Sequence, residues 1–250
     1  MKKILEIEKK TKSYLVRFNE ELVSIEPEIY LKFHLRLQQE FEDKEYAKLI
    51  KENEYVFYDK LGIIRLKRMQ TSKELKDYLL SKGAHETIAK QLITKYTERK
   101  YLDDYTYAKL YVQLKQDSEG PQLIFNHLKE KGISNEIIEG FTKKIDEHSI
   151  LEHLIPKKLK SIKNKSKKQA IQTLKGFCLR KGFSLETVDA QIKKALVSYD
   201  IDELELIKKE YAKLQKKYQS KTRDNFTNYN MIQKLYAKGF KIEDIKKVIH

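Results

Sequence analysis

Apolar residues recur at helical spacing on both sides of four Lys-Gly dipeptides. The glycines of these dipeptides are Gly83, Gly132, Gly182 and Gly239, which lie 49, 50 and 57 residues apart. Leu75, Ile124, Leu174 and Met231 stand eight residues before them, Leu79, Leu128, Cys178 and Leu235 four before, and Ala89, Ile138, Val188 and Ile245 six after. A spacing of four is typical of one helix face, and a repeat of about 50 residues indicates stacked helical units.

Each Lys-Gly dipeptide is expected to end one helix and to open the turn into the next. Glycine enters the left-handed conformation at a helix end without a Cβ penalty, and the residue after it then packs on the last helical turn. The pairs that would pack in this way are all apolar: Ala84 with Leu79, Ile133 with Leu128, Phe183 with Cys178, and Phe240 with Leu235. Glu86, Glu136, Glu186 and Glu243 follow in the first turn of the next helix, where the helix dipole favours an anion.

A further helical stretch precedes each of these helix pairs, at about 54–70, 104–117, 147–164 and 201–220. The sequence therefore predicts a mainly α fold, a tandem array of about four three-helix repeats that is elongated and curved. Neighbouring repeats complete each other's core in such arrays. The predicted repeats span residues 44–98, 99–147, 148–198 and 199–250.

The first 27 residues follow a different pattern. Residues 4–7, 14–18 and 22–25 form three short β-like runs with turns between them, which predicts a small antiparallel sheet. Pro27 is expected to begin a short helix after it. Residues 40–54 are acidic and are expected to link the sheet to the array, so that residues 1–43 form a β-rich segment with a linker.

Composition favours an acidic partner. The 250 residues include 52 Lys and Arg against 37 Asp and Glu, a net charge of +15 at pH 7, and such a charge attracts nucleic acid, an anionic membrane or an acidic protein surface. Cys178 is the only cysteine, which excludes an intrachain disulfide and a cysteine-based metal site. The charged start does not resemble a signal peptide, and no apolar run approaches the roughly 18 residues of a membrane span. We therefore expect a cytoplasmic protein.

The sequence offers no recognisable catalytic site. Its six histidines form no metal-binding pattern, its isolated glycines form no phosphate loop, and no nucleophile and base can be paired. We therefore predict a binding protein that is not an enzyme, with no cofactor, no metal and no small-molecule substrate.

The stretch from Ser72 to about Ile192 resembles the RecX family, the regulators of the RecA recombinase. The middle of this stretch carries the most specific match: Tyr101-Leu102-Asp103-Asp104, Tyr107-Ala108, Tyr111-Val112, Gly120-Pro121, Ile124, Leu128 and Lys131-Gly132-Ile133. It is flanked by Ser72-Lys73-Glu74-Leu75 with Lys82-Gly83, and by Leu179-Arg180-Lys181-Gly182-Phe183. The β-like start and the fourth unit around Gly239 are similar to the longer form of the family. Ala84 and Cys178 depart from the family pattern only in the core.

The resemblance implies a function that composition does not show. Proteins of this family bind the RecA filament along its groove and block its growth or strip it, which limits homologous recombination, DNA repair and the SOS response. Direct binding to single-stranded DNA is also expected in longer members. The implied partner is therefore the RecA filament, with single-stranded DNA as a second ligand, and we expect this chain to act as a monomer.

The acidic pair and the tyrosines of the family motif each have a structural and a functional interpretation. Asp103 and Asp104 look like a helix N-cap and a first-turn acid rather than a metal pair. Tyr107, Ala108 and Tyr111 are spaced as core residues of one helix. Tyr101 and Tyr105 are candidates for partner or DNA binding, because aromatic rings stack on unpaired bases.

The window from His153 to Leu185 contains no acidic residue. Its cations are Lys157, Lys158, Lys160, Lys163, Lys165, Lys167, Lys168, Lys175, Arg180 and Lys181. We call this window the basic segment and predict that it binds the filament or DNA; the alternative is a solvated surface. A second cluster, which comprises Lys208, Lys209, Lys213, Lys216, Lys217, Lys221 and Arg223, is diluted by Glu210.

Two hypotheses follow. The first is a modulator of RecA filaments, and the second is a general single-stranded nucleic-acid-binding helical protein that acts without RecA. The basic segment fits both, and a helix pair joined at Lys-Gly can resemble a helix-turn-helix. The signature from Tyr101 to Ile138 favours the first, since a general DNA binder does not need it.

Overall fold

The computed structural model describes residues 1–162, 165–197, 199, 201–219 and 228–249. Two compact units make up this part of the chain. The first contains Met1–Ala108 together with Glu130–Ile133, and the second contains the remaining described residues. The boundaries of the four repeats are a finer division than these units and stay a prediction.

A four-stranded antiparallel sheet opens the first unit. Its strands are β1 (Lys2–Lys9), β2 (Tyr14–Phe18), β3 (Glu21–Ile25) and β4 (Glu40–Phe41), in the order β3-β2-β1-β4. Ile4, Val16, Phe18 and Ile25 are fully buried on one face of it. The three predicted strands are confirmed, and so is helix α1 (Pro27–Lys32) with its proline in the first turn. Strand β4 was not predicted, because two residues carry no alternation that a sequence could reveal.

Helix α2 (Asp43–Arg65) begins well before the predicted start near residue 54, so the predicted linker over residues 40–54 is wrong. Glu42 and Glu45 form a capping box at its start, which satisfies helix N–H groups. Leu49 is fully buried against the sheet. The buried amide of Asn53 accepts from the Glu26 N–H at 2.7 Å and donates to the Ser24 carbonyl at 2.9 Å. Of the acidic residues that suggested a linker, Glu40 lies in β4, Glu42 caps α2, and Asp43, Glu45, Glu52 and Glu54 lie within α2.

Eleven further helices follow in the described part of the chain. They are α3 (Ser72–Ser81), α4 (Glu86–Glu98), α5 (Asp104–Lys115), α6 (Pro121–Glu130), α7 (Asn135–Thr142), α8 (Glu147–Lys160), α9 (Lys167–Arg180), α10 (Leu185–Val197), α11 (Glu203–Gln219), α12 (Asn228–Ala237) and α13 (Ile242–Val248). With α2 they form four successive groups of three, α2–α4, α5–α7, α8–α10 and α11–α13. The predicted array of three-helix repeats behind a small sheet is therefore confirmed.

The four Lys-Gly turns have the predicted helix-ending geometry. The φ angles of Gly83, Gly132, Gly182 and Gly239 are 93°, 82°, 83° and 84°, in the left-handed region that glycine favours. The residue after the glycine donates its N–H back to the helix in three of these turns, from Ala84 to Leu79 at 3.1 Å, from Phe183 to Cys178 at 3.2 Å and from Phe240 to Leu235 at 3.4 Å. Both members of every predicted apolar pair are buried. These turns fix where α3, α6, α9 and α12 end.

Separate clusters of buried side chains lie within the second unit. Helices α8–α10 enclose one cluster around Leu151, Leu174 and Val188, and α11–α13 enclose another around Ile207 and Leu235. Cys178 occupies a core position of the first of these clusters and is fully buried. The cations of the basic segment are thus carried on helices whose inner faces are fixed by apolar packing.

Candidate binding interface

The acidic pair of the family motif caps two helices. Asp103 accepts from the Thr106 N–H at 3.0 Å and from the Thr106 hydroxyl at 2.7 Å, so it holds the start of α5, and these hydrogen bonds lower the pKa of its carboxyl. Asp104 accepts from the N–H of Ser72 at 2.8 Å and so also satisfies the start of α3. The contact from Asp104 to Ser72 was not foreseen from the sequence. Both carboxylates therefore have structural partners that account for their presence.

The aromatic residues of the motif divide into two groups by exposure. Ala108 is fully buried, and Tyr107 and Tyr111 are half-buried beside it on α5. The Lys131 ammonium lies 5.6 Å from the centre of the Tyr107 ring. In contrast, Tyr101 and Tyr105 have 61% and 57% of their surface exposed. Tyr101 and Tyr105 are therefore the more exposed of the motif's tyrosines, and their assignment to partner binding stays a prediction.

Lys131 contacts the start of helix α3 within the first unit. Its backbone carbonyl accepts from the Thr71 hydroxyl at 2.7 Å, and its ammonium lies 2.5 Å from a Glu74 oxygen. Burial alone would raise the pKa of Glu74, but hydrogen bonds from Lys131 and from the Thr71 N–H bring it below its ordinary value. The hydrogen bond to Glu74 also raises the pKa of Lys131. Lys131 therefore serves the structure and is not an exposed contact residue.

The next two Lys-Gly turns make equivalent contacts within the second unit. The Gly120 N–H donates to the carbonyl of Lys181 at 2.7 Å, and the Ser166 hydroxyl donates to the carbonyl of Lys238 at 2.6 Å. The turns at Lys131, Lys181 and Lys238 therefore each meet the start of another helix, and we call such a contact a repeat joint. At the first Lys-Gly turn, the Lys82 carbonyl instead accepts from the Tyr58 hydroxyl of α2 at 3.3 Å. The roles of Thr71 and Ser166 were missed from the sequence. A signal was present, since each stands three residues before Glu74 or Gln169, as a helix N-cap does.

Apart from Lys175, which lies within α9, the described cations of the basic segment lie at or next to the ends of two consecutive helices. The larger group is Lys157, Lys158 and Lys160 in the last turn of α8, Lys165 between the helices, and Lys167 and Lys168 in the first turn of α9. We call this group the α8–α9 corner. Arg180 and Lys181 lie at the other end of α9, about 20 Å away for a 14-residue helix. Lys163 lies outside the described residues. The segment thus presents two basic regions and not one.

Some of these lysines contact other side chains of the chain, whereas others are exposed to solvent. Lys175 pairs with Asp189 at 2.7 Å, and the Lys158 ammonium lies 5.3 Å from the centre of the Phe177 ring. Lys157, Lys160 and Lys167 are exposed. Lys167 does not stabilise α9, because a cation in the first turn interacts unfavourably with the helix dipole. One acid is near: the Lys167 N–H donates to Glu203 at 2.9 Å. The exposed corner lysines are therefore the best candidates for binding a polyanion.

The second lysine cluster is partly neutralised. Lys209 pairs with Glu205 at 2.5 Å and Lys213 with Glu210 at 2.6 Å along α11, and Lys238 also pairs with Glu210. Lys221 and Arg223 lie outside the described residues. Since its charges are shared with acids, this cluster is a weaker candidate than the α8–α9 corner.

The described residues contain no group of three His, Cys, Asp or Glu side chains that could hold a metal ion. Tyr111 and His127 form a polar contact, with 2.9 Å between the phenol oxygen and Nδ1. Glu119 lies 3.5 Å from the same nitrogen. This trio lies on α5, on α6 and between them, and we assign it no chemistry.

Comparison with known proteins identifies the family. This chain is 32% identical to the regulatory protein RecX of Streptococcus mutans, in an alignment that covers 99% of this chain and 98% of the relative. The chain belongs to the RecX family. It is also 31% identical to the regulatory protein RecX of Clostridium tetani, over 78% of this chain and 94% of the relative. These are regulatory proteins, and the resemblance carried by residues 72–192 therefore extends over almost the whole chain.

Two solved structures share the fold of this RecX-family chain. A crystal structure of a regulatory protein RecX matches with a TM-score of 0.59 and 21% identity, over 78% of this chain and all of the other. RecX from Lactobacillus salivarius matches with a TM-score of 0.52 and 25% identity, over 58% of this chain and 99% of the other. No family model matches the chain. Within the described ranges, no helix is both long enough and apolar enough to cross a bilayer.

Proposed function

We propose that this chain binds RecA nucleoprotein filaments and inhibits or disassembles them, and so modulates recombination and DNA repair. Its membership of the RecX family over almost its full length carries this proposal. The exposed lysines of the α8–α9 corner add an electrostatic reason, because a nucleoprotein filament is a polyanion and attracts a chain of net charge +15.

In this proposal the corner lysines attract the filament electrostatically, and the repeats allow the chain to contact it at several points. Several repeats on one chain can each make a weak contact with a helical lattice, and linked weak contacts add through effective concentration. The chain itself contributes no chemical step in this scheme. Any nucleotide hydrolysis belongs to the recombinase.

The test compares filament binding by two triple variants that remove the same number of charges. Lys157→Ala/Lys160→Ala/Lys167→Ala removes exposed cations of the corner, and Lys44→Ala/Lys48→Ala/Lys51→Ala removes exposed cations of α2. Cosedimentation with filaments that RecA forms on single-stranded DNA with a non-hydrolysable ATP analogue measures the affinity. We expect the corner variant to bind at least tenfold more weakly and the α2 variant to bind as the wild type does. Equal losses of affinity in the two variants would show that the corner contributes only through the net charge of the chain.

A general single-stranded nucleic-acid-binding activity is the second candidate, because the same corner lysines suit bare DNA. The two functions differ in which ligand is preferred. A filament modulator binds the RecA-coated strand more tightly than the naked strand at equal salt, whereas a general binder prefers the naked strand.

A further inference from the structure

A groove in the first unit combines an exposed aromatic ring, an apolar wall and free cations. It has a volume of about 430 Å³ and lies between the end of α2 and the end of α4. Its lining includes Tyr101 just after α4, Ile63 and Leu66 at the end of α2, and the cations Lys67 and Arg99. We call it the Tyr101 groove. The helix caps and repeat joints described above do not involve the residues that line this groove.

The backbone holds Tyr101 firmly although its ring is exposed. Lys100 adopts a left-handed conformation with φ 61°, and the N–H groups of Tyr101 and Leu102 both donate to the Tyr96 carbonyl, at 2.9 and 3.2 Å. Leu102 is buried directly after it. A ring with 61% exposure on a fixed backbone loses little conformational freedom when a ligand stacks on it.

Asp59 is the one acid among the residues that line the groove, and its charge is paired. Asp59 pairs with the Lys95 ammonium at 2.7 Å and accepts from the Tyr96 hydroxyl, also at 2.7 Å. Tyr96 is fully buried and packs where Gly62 leaves room for its hydroxyl. Burial and the hydrogen bond to Asp59 raise the pKa of Tyr96. The negative charge of Asp59 is therefore balanced by Lys95, and each of its two oxygens has a partner.

Two cations remain available at the edge of the groove. Lys67 and Arg99 are exposed, and among the described residues neither has an acidic partner within 4 Å. A helix end accounts for Arg99, because cations are favourable near a helix C-terminus. It does not account for the exposed ring of Tyr101 or for Ile63, half of whose surface is exposed.

We propose that the Tyr101 groove binds one nucleotide of an unpaired DNA strand, with the base between Tyr101 and Ile63 and the flanking phosphates at Lys67 and Arg99. Single-strand-binding proteins combine these two elements, aromatic stacking and a positive groove along the backbone. The open shape suits a passing strand better than an isolated nucleotide. This inference deepens the proposed function and rests on it for the setting in which the chain meets a single strand. It places a DNA contact outside the basic segment.

The test measures binding of a fluorescent twelve-residue oligothymidylate to the full chain without recombinase, so its outcome is independent of filament inhibition. We expect Tyr101→Ala to weaken binding about tenfold, because stacking contributes strongly per base, and Tyr101→Phe to stay within twofold of the wild type. Tyr229→Ala removes an equally exposed ring, at 66%, and is expected to bind as the wild type does. Lys67→Ala/Arg99→Ala is expected to reduce the log–log salt slope by about 1.4, at roughly 0.7 for each phosphate on a single strand.

Photocrosslinking with 5-iodouracil in the same oligonucleotide gives a second readout that does not depend on affinity. We expect the crosslinked peptide to contain Tyr101. Three results would overturn the inference: unchanged affinity of Tyr101→Ala, crosslinks confined to other peptides, or displacement of the strand by thymidine monophosphate at equal concentration. If the wild-type chain inhibits RecA filaments although one of these results is found, the proposed function stands while the groove assignment fails.

Discussion

The hydroxyl of Ser166 donates a hydrogen bond to the backbone carbonyl of Lys238, 72 positions away along the chain, at 2.6 Å. Thr71 makes the same contact with Lys131 at 2.7 Å. In both joints the hydroxyl also caps its own helix, and the carbonyl belongs to the residue before a left-handed glycine. The negative end of one helix therefore meets the positive end of another, which is favourable. Three of the four Lys-Gly dipeptides, at Lys131, Lys181 and Lys238, therefore shape both a helix end and a joint.

Replacing Ser166 by alanine tests the joint. We expect Ser166→Ala to lose about 2 kcal/mol of unfolding free energy, about 1 for the helix cap and about 1 for the hydrogen bond to Lys238. Ser134 provides a matched control, since it caps α7 through the Ile137 N–H at 3.5 Å, and Ser134→Ala should cost about 1 kcal/mol or less. Urea denaturation followed by circular dichroism measures both. Equal losses would show that the contact with Lys238 adds nothing.

Glycine at the joints is required by conformation and by space. A Cβ at Gly182 would lie 2.3 Å from the Leu123 nitrogen, with φ at 83°. We expect Gly182→Ala to destabilise the chain by about 3 kcal/mol, from left-handed strain and overpacking together. Gly140 lies inside α7 with open space around it, so Gly140→Ala should instead stabilise by up to about 1 kcal/mol. Thermal unfolding of the two variants should move in opposite directions, and a tolerated alanine at 182 would contradict the joint.

The sequence predicted the helix pairs well and the long-range contacts poorly. The Lys-Gly turns were predictable because a left-handed glycine and its apolar partner lie within five residues of each other. The contact between Ser166 and Lys238 was not, because nothing in a single sequence relates positions so far apart. The start of α2 was missed because its first turns are mostly charged and only Leu49 among them is fully buried. From composition alone, the basic segment was predicted to be one site. Composition does not show that α9 separates the cations at its two ends by about 20 Å.

The ion pair between Glu74 and Lys131 predicts a loss of stability in acid. The pKa of Glu74 in the folded chain lies below its ordinary value of 4.5, since the hydrogen bonds from Lys131 and Thr71 outweigh the effect of burial. The unfolded chain then binds the proton more tightly, so the contribution of Glu74 is complete above pH 4.5 and is lost as the pH falls through the folded-state pKa.

We therefore expect the Tm difference between the wild type and Glu74→Gln to be present at pH 7 and to shrink below about pH 4.5. Differential scanning calorimetry from pH 3 to pH 7 measures it. The same comparison in a Lys131→Met background should show little dependence on pH, because the partner charge is gone. A Tm difference that stays constant down to pH 3 would contradict the assignment.

The labelling rate of the Cys178 thiol reports how readily the core of α8–α10 opens. The thiol is fully buried, and burial raises its pKa to about 11, so roughly a thousandth of it is thiolate at pH 8. We expect a thiol reagent such as DTNB to label the native chain at least a hundredfold more slowly than the urea-unfolded chain. Rapid labelling of the native chain would show that this core opens readily and that the basic segment is not held by rigid packing.

The proposed regulation of RecA filaments is tested most directly by the ATPase of the cognate RecA on single-stranded DNA, with the chain added to preformed filaments. The account predicts that the rate falls at far fewer than one chain per recombinase, because capping or disassembly acts on many subunits at once. If the rate falls only when enough chain is present to cover all the DNA, competition for the strand explains the effect. That result would contradict filament regulation and favour a general single-strand-binding protein.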